Sequence, residues 1–182
     1  MYTPTMLRPV MLLVVTACVA MGNAQNPTPG AALATTQIAP AATACPATAT
    51  LDQLASAIDA AITGPANKDR TCFRQLFLPE ARLSPFSPKT LTTRILTVDD
   101  WITAVAKNGD EVVSEHQIKY ETESFGHIAH LWSTYQTSLA GKPLARGINS
   151  IQAIYDGKEW KIFGILWEAE NATDQIPAQY LP

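Results

Sequence analysis

The stretch from Ser124 to Asn171 constrains this chain more than any other part of it. It reads SFGHIAHLWSTYQTSLAGKPLARGINSIQAIYDGKEWKIFGILWEAEN, three runs rich in β-branched and aromatic residues separated by short turn signals. Asp156-Gly157 between two apolar runs predicts a two-residue hairpin loop, because both central positions of that turn need φ > 0. Tyr155 then sits opposite Lys158. Side chains alternate along a strand, so one face is expected to carry Gly147, Asn149, Ile151 and Ala153 beside Trp160, Ile162, Gly164 and Leu166. The other carries Arg146, Ile148, Ser150 and Gln152 beside Lys161, Phe163, Ile165 and Trp167. Neither face is polar throughout, so both are expected to be covered, the second at least in part.

A second hairpin precedes this one. Val113–Ser124 alternates as a strand and turns at Phe125-Gly126. Counting outward puts His116, Ile118, Tyr120 and Thr122 on one face with Ala129, Leu131, Ser133 and Tyr135, and this is read as the interior. Gln117, Lys119, Glu121 and Glu123 share the opposite face with Ile128, His130, Trp132 and Thr134. Upstream, Thr50 caps a helix through Thr63 whose Leu51, Leu54, Ala55, Ile58 and Ile62 recur at 3–4 spacing. A second helix is expected from about Asn67 to Phe77, then a short strand over Ala81–Phe86, restricted by Pro85 and Pro88 to an edge or strand end. Thr97-Val98-Asp99-Asp100 has the form of a capping box, and the helix it opens closes at Asn108-Gly109.

With 47% hydrophobic and 16% charged residues, the composition is that of an ordinary globular chain, and one domain is expected. A net charge of −3 without a basic cluster argues against nucleic-acid binding. Arg8 is the only charged side chain before Asp52. It precedes the apolar run Val10–Ala20, too short for a transmembrane span, and small residues follow at Gly22-Asn23-Ala24. Residues 1–24 therefore read as a signal peptide of an exported protein, periplasmic or secreted. Val15-Thr16-Ala17-Cys18 also resembles a lipobox, the alternative being a lipid anchor on Cys18. Residues 25–49, rich in Ala, Pro and Thr, read as a linker. The domain is expected over 50–172, with an irregular tail at 173–182.

In an exported chain the remaining pair, Cys45 and Cys72, suggests a disulfide. It would close a loop of roughly 28 residues, a constraint on the order of 3–4 kcal/mol; two buried free thiols are the alternative. No histidine lies at ligand spacing from either cysteine, and the three histidines fall on different faces and a turn. Neither a metal site nor a cofactor is expected.

The order helix, helix, short strand, helix, then four long antiparallel strands resembles the nuclear transport factor 2-like, or SnoaL-like, superfamily over about residues 50–170. The resemblance is carried by LFLPEARL at 76–83, FGHIAHLWSTY at 125–135 and ARGINSIQ at 145–152, with Asp156-Gly157 followed by Trp160 and Ile162. It points to a bacterial exported branch. It implies an α+β fold: a curved antiparallel sheet wrapped around N-terminal helices, a cone-shaped, cystatin-like α+β barrel with a pocket. Many members dimerise through the outer sheet face. The superfamily includes ketosteroid isomerase, scytalone dehydratase and a polyketide cyclase alongside pure binding modules. Its enzymes typically place an Asp or an Asp/His pair on the pocket wall, and the interior faces derived above contain no Asp.

The candidate residues follow from those faces. His116, beside Tyr120 and across from Tyr135, is a candidate acid/base, since its usual pKa lies near neutrality; the plainer reading is a solvated strand-end histidine. Asn149 and Gly164 are expected as cross-strand neighbours, Gly164 leaving room for a ligand and Asn149 offering a donor and an acceptor. Tyr120, Ser133 and Tyr135 complete the candidate ligand-binding set. Glu168 is a candidate base if desolvated. Arg146 is expected to stack on Trp167. The leading expectation is an exported, homodimeric small-molecule-binding domain with a mostly apolar pocket. A cofactor-free lyase or isomerase and a solid interaction module are the alternatives.

Overall fold

The computed structural model describes residues 44–182. The signal segment, Cys18 with its lipobox and most of the linker lie outside them. The described residues form an α+β fold built on one seven-stranded sheet.

Helix α1 spans Leu51–Ile62. Thr50 Oγ1 accepts from the Gln53 amide, and the Gln53 side chain accepts from the Thr50 amide, so two otherwise unpaired donors at the helix start are satisfied. Its C-terminal carbonyls are met by a residue distant in sequence. The Arg70 guanidinium, 2% exposed, donates to Ala61 O at 2.7 Å and Ile62 O at 2.5 Å, a cation at the negative end of the helix. Strand β1 is the short Gly64–Pro65, and α2 is the single turn Thr71–Gln75. The expected longer second helix stops there because Phe77 already begins β2, Phe77–Ser87. After β3, Thr92–Thr93, the capping box at Thr97 and Asp100 opens α3, Val98–Ala106. Strands β4 (Val112–Phe125), β5 (Ile128–Leu139), β6 (Lys142–Tyr155) and β7 (Trp160–Ala169) form an antiparallel meander of three hairpins, β4–β5 and β6–β7 being the two expected from the sequence.

Across the sheet the order is β1-β4-β5-β6-β7-β2-β3. It is mixed, β2 running parallel to β7, and it does not close on itself. The helices lie on one face, where Leu54, Ile58, Phe73, Leu131, Ile151 and Ile162 form the centre of the core. Trp101 of α3 stacks on Phe73 with ring centroids 4.5 Å apart. Cys45 and Cys72 are joined by a disulfide, which ties the segment before α1 to α2. Thr48 in that segment is buried, and its carbonyl accepts from the Trp160 amide.

Both hairpin registers differ from the expectation, and for the same two reasons. The β6–β7 loop holds four residues, not two: Tyr155 pairs with Trp160 rather than Lys158. Asp156 Oδ1 accepts from the Lys158 and Glu159 amides, so the aspartate side chain builds a wider turn around Gly157. The β4–β5 turn is Gly126-His127, with Phe125 opposite Ile128. Each is a shift of two, which leaves the faces near the turns as expected. A bulge in each hairpin then reverses the faces beyond it. One falls between Gln117 and Lys119 and the other between Ile162 and Gly164.

The opposite face of the sheet carries the C-terminal segment. Thr134 Oγ1 donates to Tyr180 O at 2.6 Å, Lys119 Nζ donates to Leu181 O at 2.9 Å, and Tyr180 lies against Trp132. Thr134 is 1% exposed and Ile176 is buried as a result. Trp132, Phe163 and Leu166 remain partly open on this side.

Candidate functional site

The bulge in β4 decides what faces the helices. At Ile118 the strand takes one extra residue, and below it Gln117 pairs with Tyr135 and Glu115 with Thr137. A bulge leaves ladder groups unpaired, and here α1 supplies the acceptor. The Asp59 carboxylate receives the Gln117 amide at 3.0 and 3.1 Å. Burial pushes the Asp59 carboxyl above its ordinary range, with the Gln117 hydrogen bonds and His116 pulling the other way.

The consequence is an exchange of neighbours. His116, expected inside, turns outward: its side chain is 64% exposed, with Nδ1 3.9 Å from Asp59 Oδ2. Glu115, which the alternation count passed over, turns inward to line a cavity of about 370 Å³. Glu115 as a whole is half-buried, and it lines the cavity. Gln117 Nε2 donates to Glu115 Oε1 at 2.9 Å, and Asn149 Nδ2 reaches the same oxygen at 3.5 Å. The Ser133 hydroxyl donates to Gln117 Oε1 at 2.5 Å, which orients the amide toward Glu115. Burial raises the Glu115 carboxyl to about 7; the Gln117 bond opposes the rise and the negative Asp59 adds to it.

Around this polar end the wall is apolar. Ile58 and Ile62 come from α1, Phe73 from α2, Trp101 and Val105 from α3, and Ile165 and Trp167 from β7. Exposed Asn108 and Leu144 mark the open side. The Tyr135 phenol also lines the cavity, lying over Gly147, where an added Cβ would come within 2.7 Å of its oxygen. Burial first, then the charges of Glu115 and Glu168, push that phenol upward, so it stays a neutral donor.

Of the residues singled out in the sequence, Tyr135 and Asn149 line this cavity and Ser133 stands directly behind its polar end. The others lie elsewhere. Tyr120 donates to Asp52 Oδ1 at 2.9 Å on the outside of α1. Gly164 pairs with Gln152, not Asn149, and a Cβ there would meet the Arg82 carbonyl at 3.3 Å; β2 occupies the space read as room for a ligand. Asn149 instead pairs with Trp167, which the β7 bulge turns inward. The same reversal sends Glu168 to the outer face opposite Ile148. Arg146 does not stack on Trp167; its Nε donates to Glu170 Oε1 at 2.6 Å. On the outer face Glu121 lies opposite Trp132 and Glu123 opposite His130, whose Nε2 is 3.0 Å from Ser150 Oγ. Glu115 and Gln117 are the residues the sequence reading missed, and Asp59, a carboxylate beside the buried stripe of α1, is the signal that bears on them.

A second cavity, about 410 Å³, lies on the outer face beneath residues 174–177, with Trp132, Ile148, Leu166 and Glu168 in its wall. Two of its three carboxylates are already satisfied. Glu170 is held by Arg146, and Asp174 accepts from Thr173 and Asn171. The inner cavity is therefore the stronger candidate, because there burial raises a carboxyl that has no cation beside it. Among the described residues no group of His, Cys, Asp and Glu is placed to hold a metal ion.

No protein-family model matches this sequence, and no curated protein matches it. Solved structures do. The chain is similar to an NTF-2 like protein of unknown function from Silicibacter pomeroyi, with 15% identity over 66% of this chain and 92% of that one, at a TM-score of 0.48. It is also similar to a protein of unknown function with a cystatin-like fold from Nostoc punctiforme, with 12% identity over 69% and 96% of the two chains, TM-score 0.47. A protein of unknown function from Mycobacterium tuberculosis is 13% identical over 70% and 75%, TM-score 0.49.

Proposed function

We propose that this domain binds a small, mostly apolar molecule in the inner cavity, oriented by Glu115, Tyr135 and Asn149. One observation carries the reading: an apolar cavity of about 370 Å³ with a single convergent polar cluster at one end. Binding sites for small molecules are typically of about 300–1,000 Å³ and built this way. The disulfide supports the accompanying proposal that the protein works outside the reducing cytoplasm. The apolar side chains left open on the outer face, Trp132, Phe163 and Leu166, support self-association there.

The test is a thermal-shift screen with small aromatic and steroid-like compounds against the wild type and Ala145→Phe, which fills the cavity from its β6 wall. Compounds that raise the melting temperature of the wild type but not of the filled variant support the reading. Equal shifts in both proteins, or none, refute it.

A cofactor-free lyase or isomerase is the second reading, favoured by one feature. A carboxyl poised at about 7 and a phenol kept neutral face the same cavity, an acid/base and an oxygen-polarising donor respectively. Glu115 takes the role first assigned to His116. Bound compounds recovered chemically unchanged would leave binding alone.

A further inference from the structure

We propose that the ligand of the inner cavity is a hydrophobic amine, its ammonium group held by the Glu115 carboxylate and its apolar body lying among Phe73, Trp101 and Trp167. This deepens the binding reading above and rests on it.

The argument is one of unbalanced charge. Among the described residues lining the cavity there is one carboxyl group, that of Glu115, and no lysine, arginine or histidine. The nearby basic groups are committed elsewhere. The Arg70 guanidinium is spent on the backbone carbonyls of Ala61, Ile62, Pro65 and Ala66, and His116 meets Asp59 from the solvent side. Glu115 Oε1 takes both amide donors, from Gln117 and Asn149, while Oε2 has no hydrogen-bond partner among the described residues. A carboxylate enclosed without a counter-charge is costly, and the cost is offset when a cation arrives with matching geometry. A neutral ligand offers no such gain, and an anionic one adds repulsion. The aromatic wall fits the same class, because indole and phenyl faces attract an ammonium or the carbons beside it.

The proton balance follows. Glu115 holds its proton up to about pH 7 in the empty cavity, so an ammonium that binds below that pH displaces it. The other groups facing this carboxyl are Asp59 of α1, also raised by burial, Tyr135 of β5, which stays neutral, and the amide of Asn149 from β6. His116 of β4 acts only through Asp59.

Isothermal titration of the disulfide-intact protein with naphthylethylamine, naphthylethanol and naphthylacetate tests this directly. The wild type is expected to prefer the amine over the alcohol by about tenfold or more, the gain of a charge-assisted hydrogen bond, and to reject the acid. At pH about 6, titrations in buffers of different ionisation enthalpy should show proton release on binding the amine. In Glu115→Gln both the preference and the release should vanish while the alcohol still binds. An alcohol as tight as the amine in the wild type overturns the amine assignment and leaves the cavity reading intact. Binding of none of the three overturns both. A preference that survives in Glu115→Gln also overturns the assignment, since the cation is then recognised elsewhere, the Glu168 side of the outer cavity being the place to look.

Discussion

The two faces of the sheet treat their carboxylates in opposite ways. On the outer face Glu170 lies against Arg146 at 2.6 Å, and that hydrogen bond holds its carboxyl below the usual range. Asp174 is held low by Thr173 and Asn171 in the same manner. On the inner face Glu115 has hydrogen bonds but no cation, and burial wins, raising it to about 7. The covers differ as well. The inner face is closed by helices tied through Cys45–Cys72, the outer one by a tail attached through hydrogen bonds and one aromatic contact. Around the outer cavity, two of the three carboxylates are satisfied within the protein. The inner face leaves a demand that something outside the protein can meet, and this difference points to the inner cavity as the site.

The largest way to break the comparison is at the residue both faces share. A Cβ on Gly147 would stand 2.1 Å from Glu168 O, 2.8 Å from Ala169 Cα and 2.7 Å from the Tyr135 oxygen. Two of these are backbone atoms, so β6 and β7 would have to part. Gly147→Ala is expected to cost about 3 kcal/mol or more, read by urea unfolding, and to disturb the cavity and the tail together. Opening the Cys45–Cys72 bridge by Cys45→Ser with Cys72→Ser acts on the inner cover alone. It should lower stability by about 3 kcal/mol through the freed loop and loosen α2, as seen in faster hydrogen exchange there.

Glu115→Gln sharpens the contrast without moving atoms. The ordinary glutamate pKa of 4.5 applies in the unfolded chain, and the folded value is about 7. Below pH 4.5 both states hold the proton, and the charge makes no difference. Between 4.5 and 7 the unfolded chain releases it first, so folding stability falls as pH rises; above 7 the loss is complete. Its size is roughly 3 kcal/mol. The variant, free of this penalty, is expected to match the wild type near pH 4.5 and to be the more stable protein at pH about 8. Asp59 is present in both proteins and largely cancels. Equal stabilities at both pH values would mean that water reaches the carboxyl freely.

Local signals in the sequence carried α1, α3 and the four long strands, because caps, apolar spacing and alternation act over a few residues. Thr50 and Thr97 cap the helices where their side chains require it. The faces were legible only as far as each bulge. A bulge is set by long-range contacts, here Asp59 against the Gln117 amide across 58 positions, and nothing between Glu115 and Tyr120 announces it. One extra residue exchanges every neighbour beyond it. That is why His116 stood where Glu115 belongs, and why Gly164 and Glu168 were assigned to the face that Ile165 and Trp167 occupy. Tyr135 and Asn149 keep their expected face because each lies on the partner strand, outside the bulged segment.

The smallest effect belongs to the outer face, and it tests whether the two covers are independent. Thr134 is buried only because the tail crosses it, and its hydroxyl donates to Tyr180 O at 2.6 Å. Thr134→Val keeps the shape, removes the donor and leaves a carbonyl short of its partner, at about 1 kcal/mol. The tail is held at few other points, Lys119 on Leu181 and Tyr180 against Trp132 among them, so the loss should appear as faster exchange of amides in 174–182 and brighter, more accessible indole fluorescence. The pH response assigned to Glu115 should not change, because Thr134 points away from the cavity. If that response shifts with the tail, the faces are coupled through the strand they share, and the outer segment regulates the inner site.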